Sequence, residues 1–545
     1  AKECYPTSED RAMSGRSTLE RTTVLDAFGW QQSTLEQIAT LTANQDGSAV
    51  DQVFRELYGS RPSNISDPAW SLKVALTLKR AHNNDPGELL NADWATRSKA
   101  LADQTTIWDT YGADTKTFEE VKSALRGLLG PEGVLDDQDY LSTPKTRTIW
   151  LSLNAAGFRR LFGVTPLQVN GDVAWKGLLS MPAAITPHIR GIWIGQSYDI
   201  PNPNLVVGKA DGVALPPGPV STGGAATHKS NATPVALANF YNYPLTPDIP
   251  PTGPLVSGLP MPTVALVEGQ LPEADALRRA LNDYRSALGL EPLSPEQFDI
   301  VSGAGTATQR SNLSELTLDL SVVAGAAPGS PQLLYSSASK THGAGPTFVA
   351  YQQAFFDAVR KPTILSSSFN DNGQASPDSP FLRAWHDLFV DGALSQVAVH
   401  IAAGDTGSTG GLALGVPHVR QQLAPTHALV VSGTSISNRG SAMTDASLNS
   451  ATGILEKALA NDPATLMLLA RSGLKTLPST LGTETYSRDT ALKQPLQGLL
   501  EAVWNGMEVS RVTSTKRRKF NVDLGGKQAG TGGVDTTAAT PWFQS

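Results

Sequence analysis

At 545 residues the chain is long enough for two or more domains with full cores. Its 40% hydrophobic and 17% charged residues describe a globular protein and exclude a disordered or fibrous one. A net charge of −7 argues against nucleic acid as a partner, and no apolar run approaches the roughly 20 residues of a membrane span. One cysteine, Cys4, allows no intramolecular disulfide and no C-x-x-C metal or redox site. The chain opens Ala-Lys-Glu rather than with Met, which fits removal of an export segment, although any other boundary would read the same. Low charge with 49 Gly and 37 Pro suits a secreted or periplasmic protein.

In chain order, residues 17–128 read as mostly helical, with apolar segments at Leu72–Leu78 and at Phe118, Val121, Leu125 and Leu128. Gly130-Pro-Glu-Gly133 is turn chemistry, Thr148–Leu153 a strand, and Phe158, Leu161 and Phe162 mark a short helix. This predicts an α+β domain over 1–198. Residues 199–231, rich in Pro, Gly, Thr and Ala, read as an exposed linker, either plain or a site of processing. From 232 to 545 short apolar runs at Thr263–Glu268, Phe298–Val301, Gln332–Tyr335, Thr363–Ser368 and Val397–Ile401 alternate with helices at 272–288, 345–359 and 380–392. That alternation predicts an α/β fold, a parallel sheet with helices on both faces. Residues 445–500 read as a helical insertion with Pro and Gly breaks.

Two stretches carry candidate chemistry. Ser314–Gly329 places Glu315 and Asp319 four residues apart in an apolar run. As a helix it puts both acids on one face about 6 Å apart along the axis; as a strand it puts them on one face about twice as far apart. The leucines alternate as in a strand, while Ala-Gly-Ala-Ala-Pro-Gly suits a helix end. Two poorly hydrated acids at hydrogen-bonding distance cannot both ionise easily, which suits proton transfer at low pH; the plainer reading is the acidic face of a half-buried helix. The second stretch, Gln396-Val-Ala-Val-His-Ile-Ala-Ala-Gly-Asp405, runs a strand into a Gly-rich turn carrying Asp405. In parallel sheets that edge is where active sites lie.

The order of Glu-x-x-x-Asp and strand-Ala-Gly-Asp-Thr-Gly resembles the sedolisins, serine-carboxyl peptidases with a subtilisin-like fold. Phe162-Gly163, the run Leu179–Ile192, Ala232–Pro244, Glu501-Ala-Val-Trp-Asn505 and Thr531–Gln544 resemble further family segments. The resemblance spans most of 95–545. It implies a propeptide over 1–198 that covers the carboxylate cleft, protein or peptide substrates, Glu315 as general base and acid, Asp319 tuning it, and a protonated Asp405 at the oxyanion. It also implies calcium, whose ligands are not seen in this chain. The family's nucleophile motif, Gly-Thr-Ser-x-x-x-Pro, is absent: Gly433-Thr-Ser435 continues without Pro, and a competing alignment puts Thr537 at the serine position. Ser368-Phe-Asn370 departs from the usual Ser-Trp-Gly. His418 and His427 lack an elbow motif, and Lys516-Arg-Arg-Lys519 reads as a solvated loop or a processing site. The expectation is a pro-form inactive by itself, with a C-terminal fragment completing the site. The rival expectation is a pseudo-protease with a structural or binding role.

Overall fold

Leu72-Lys-Val-Ala-Leu-Thr-Leu78 is an apolar run that helix and strand could both accommodate, and the expected helical character fails here. In the computed structural model it is a strand, β1 (Leu72–Leu78), central to an antiparallel sheet. Tertiary pairing decided the matter, because the alternation lets β1 bury both faces at once. The structure describes residues 15–195 apart from 30–32, 34 and 44–46. It also describes 261–301 apart from 270–273, and 313–404 apart from 340–342, 345 and 370–374. Beyond these it describes 425–438, 474–476, 499–503, 508–512 and 519–523.

Around β1 stand β2 (Val134–Leu135), β3 (Thr148–Leu153) and β4 (Ile189–Ile194), in the order β2-β3-β1-β4. Helix α1 (Thr115–Leu129) is N-capped by Asp114, and α2 (Ala155–Phe162) by Asn154. The second ends at Gly163, whose φ of 73° favours glycine. Val74 and Leu76 of β1, Ile149 and Leu151 of β3, and Ile192 of β4 turn one sheet face to Phe118, Phe158 and Phe162. The opposite face, carrying Ala75, Trp150 and Trp193, belongs to a different core.

The second sheet is parallel, as the alternation predicted, and has six strands, the five expected and a further one. Its strands are β5 (Val264–Glu268), β6 (Phe298–Ile300), β7 (Gln332–Ser336), β8 (Ile364–Ser367), β9 (Ala398–Ala402) and β10 (Ala428–Val431), in the order β6-β7-β5-β8-β9-β10. Helices α3 (Ala274–Ala287) and α4 (Leu313–Ala326) cover the face bearing Val264, Leu266 and Leu334. Helices α5 (Thr347–Phe355) and α6 (Pro380–Leu394) cover the other, bearing Ala265, Val267 and Leu365. In the expected helical insertion, the described stretches are strands instead. Leu474–Thr476 and Leu499–Val503 pair antiparallel with one another, and the latter also with Thr434–Asn438. Short apolar runs carry no period long enough to specify a helix, so the available partner strand decides.

Helices α5 and α6 are held between the two sheets. All nine residues of α5 and ten of the fifteen in α6 are buried. Trp193 stacks on Trp385 with ring centroids 4.7 Å apart, and Trp150 meets Phe348 edge-on at 5.6 Å. The polar groups trapped there are paired. Trp150 Nε1 donates to Gln352 Oε1 at 2.8 Å, and Gln352 Nε2 to Thr148 Oγ1 at 2.9 Å. Asp391 receives Arg80 on one oxygen and Arg147 on the other, both at 2.8 Å. Arg147 reaches it from a left-handed backbone (φ 56°), a conformation that costs a non-glycine residue about 1 kcal/mol or more.

Trp385→Ala should lower unfolding free energy by about 3–5 kcal/mol, the cost of emptying a buried aromatic site. Arg147→Ala should cost a similar ~3–5 kcal/mol by leaving Asp391 half-paired. Urea unfolding midpoints check both, and a loss at Trp385 below about 1 kcal/mol would place that ring outside the core.

Candidate functional site: an acid cluster beyond the parallel sheet

The stretch with two acids is a helix, α4, so its pattern resolves in favour of 3.6 residues per turn. Leu316, Leu320 and Ala324 sit on the sheet, and Glu315 and Asp319, one position earlier in each turn, lie half-buried beside that seam. In β5 the even-numbered residues Val264 and Leu266 face α4. The same alternation brings Glu268, the last residue of the strand, to the α4 side at 1% exposure. The carboxyl end of β8 completes the site, where Ser368 Oγ donates to Asp319 Oδ2 at 2.8 Å.

Glu268 is the third acid, and sequence reasoning passed over it. Its signal was legible: a lone carboxylate ending the apolar run Val-Ala-Leu-Val. Neither of its oxygens meets an N–H or hydroxyl donor among the described residues. Its partner is the carboxyl of Asp319, and that contact is a hydrogen bond only when one of the two acids carries a proton. Burial, then the negative charges of Asp319 and Glu315, hold Glu268 well above the ordinary carboxylate range. Asp319 is pushed up to about 6, chiefly by burial and further by Glu315, against the stabilising hydroxyl of Ser368. Glu315 thus acts on Asp319 through charge, and the hydrogen bonds of Asp319 go to Ser368 and Glu268. The arrangement holds a proton between two acids with a third carboxylate at its edge, a device for giving and taking protons at mildly acid pH.

Asp405 lies outside the described residues; the chain is described to Gly404, just beyond the carboxyl end of β9. Ser435 lies within a strand, not at a helix start. His427 precedes β10 at the opposite edge of the sheet, its pKa pushed down by burial and by His386. Thr537, His418 and the linker 199–231 lie outside the described residues, as does the Lys516 cluster apart from the strand that opens at Lys519. The N-terminal unit packs on α5 and α6, the sheet face opposite α4, so its described packing does not cover the acids as expected. No group of three or more His, Cys, Asp or Glu side chains among the described residues is placed to hold a metal. No helix among them is long and apolar enough to cross a membrane.

No family model and no curated protein matches the chain. Among solved structures, a Pseudomonas sedolisin, a serine-carboxyl proteinase complexed with two molecules of pseudo-iodotyrostatin, aligns at 19% identity with a TM-score of 0.28. That alignment covers 38% of this chain and 55% of the sedolisin, so the chain spans little more than half of its length. A variant of the epidermin leader peptide processing serine protease of Staphylococcus aureus aligns at 8% identity over 67% of this chain and 70% of its own, with a TM-score of 0.30.

The acid cluster has a stability signature. An unfolded Asp319 loses its proton near 3.8, whereas the folded one keeps it to about 6. Between those values the native state binds more protons than the unfolded state, so stability falls as pH rises. Glu268, held well above the ordinary carboxylate range, acts in the same direction. Glu268→Gln should leave stability at pH 4 nearly unchanged and raise it at pH 7, since the amide supplies an N–H to Asp319 and never ionises. Urea midpoints at the two pH values read this, and an equal fall in wild type and variant would show that Glu268 is not held neutral.

Proposed function

We propose that the chain is the pro-form of a secreted or periplasmic, acid-acting serine-carboxyl endopeptidase of sedolisin type, with proteins or peptides as substrates. The observation that carries this reading is the proton-holding pair Glu268–Asp319 beside Glu315, beyond the carboxyl end of β5. In this reading Glu315 takes the proton of an attacking serine hydroxyl and returns it to the leaving amine. Asp319 and Glu268 behind it hold one proton between them. Asp405, protonated, donates to the oxygen that becomes negative as the acyl carbon is attacked. Residues 1–198 are the propeptide-derived region in this reading, and 199–231 the region of processing.

The nucleophile is the part the 545 residues do not supply in the family's motif. Thr537 carries an extra methyl that restricts its rotamers, which makes it a poor substitute. The chain as it stands should therefore show no peptide cleavage between about pH 3 and 7, the range in which carboxyl groups titrate. Extended by a segment bearing Gly-Thr-Ser-x-x-x-Pro, it should gain acid-dependent cleavage of an unfolded protein substrate, which Glu315→Gln removes. No gain on extension would favour the pseudo-protease reading. Cleavage by the unextended chain, lost in Ser435→Ala or Thr537→Ala, would place the nucleophile at that residue.

A further inference from the structure

A propeptide that leaves must uncover a surface its partner can expose to water, and the described surface beneath this N-terminal unit is largely aromatic and aliphatic. Helix α5, Thr347-Phe-Val-Ala-Tyr-Gln-Gln-Ala-Phe355, is buried at every residue, packed on the parallel sheet on one side and on the antiparallel sheet on the other. The helix carries no charge, and the polar groups it turns to the N-terminal unit are bonded there: Gln352 to Thr148 and Trp150, and Gln353 to the Asp139 carbonyl at 2.7 Å. Helix α6 is more committed still. Phe381 and Leu382 enter the core of the N-terminal unit, where Phe381 meets Trp175 at 6.2 Å. Both oxygens of Asp391 are taken by N-terminal arginines that are themselves buried. Strand β4 lies directly on the α6 backbone: a Cβ on Gly191 would stand 2.8 Å from the Ala384 nitrogen and from the Pro380 carbonyl.

We infer that the N-terminal unit is a permanent subunit of this protein, whose partner is the α5–α6 layer of its own chain, and that severing the connection after residue 195 leaves a two-chain molecule and not a free α/β unit. The inference holds whether or not the chain is a peptidase. It gives any processing a definite outcome: a cut, without departure of the N-terminal unit. Apolar packing and the buried Asp391 pairs, which salt screens little, carry most of the contact, so 1 M salt should not part the pieces.

The test is hydrogen exchange read by mass spectrometry on the full chain across a urea series. Peptides from β1, β3 and β4 and peptides from α5, α6, β5 and β8 should lose protection at the same urea concentration. In a second arm, a chain cut at a specific protease site inserted between 196 and 260 should elute as one species at pH 7 in 1 M NaCl. Gly191→Leu should lower the urea midpoint of both peptide sets together, whereas Gly127→Ala, where the new methyl meets open space, should lower neither. Protection persisting at 264–402 after β1, β3 and β4 have exchanged would overturn the inference, as would a folded fragment eluting alone from the cut chain. Because none of these readouts uses catalysis, their failure is separate from failure of the peptidase reading.

Discussion

Helix α6 buries ten of its fifteen residues, and the molecule is arranged to make that affordable. Its first turn gives Phe381 and Leu382 to the core of the N-terminal helices. Its middle gives Trp385, Leu388 and Phe389 to the aromatic layer between the two sheets. Its last residue, Leu394, joins Leu90, Leu101, Ile107 and Trp108 in a third cluster. A helix shared among three cores ties their stabilities together, because no one of them can open without unpacking the others. The buried ion network along it, Asp391 between Arg80 and Arg147 with Asp387 beside it, adds little net stability over an apolar alternative. It does fix how the helix is rotated between the two sheets.

The acid cluster depends on this packing at one remove. Strand β8 follows α5, and β9 follows α6, so the layer that anchors these helices also sets where the strands end. Registers between β5, β7 and β8 put Glu268 beside Ser336, with Val267 opposite Ser367. Glu268 is desolvated because it ends an interior strand of the sheet, paired with Ser336 on one side and covered by α4. A carboxylate there is expensive to ionise, so Glu268 keeps the proton and donates it to Asp319, which eases the ionisation of Asp319 against its own burial and the charge of Glu315.

Much of the parallel half was legible because its pattern was redundant. Apolar runs of strand length, helices between them and turn residues at the joints all pointed to one architecture, and five expected strands sit within a residue or two of their predicted places. The antiparallel half was less legible, since Leu72–Leu78 is apolar enough to suit either period, and only its neighbours show which it takes. The spacing of Glu315 and Asp319 marked the right helix, but spacing along one element says nothing about what faces it. Ser368 and Glu268 reach the site from two other strands, and a single sequence does not display that convergence. The commitment of α5 was visible in principle: nine residues with no charge, mostly apolar, are written for burial.

The order of synthesis gives the shared aromatic layer a consequence in time. The sheet of β1 to β4 is complete in sequence at Ile194, yet the helices that cover Trp150 and Trp193 end only at Leu394. At roughly 5–20 residues per second, about 10–40 s of translation separate the two. For that interval the nascent chain carries a finished strand order with one face of tryptophan bare to the surrounding solution.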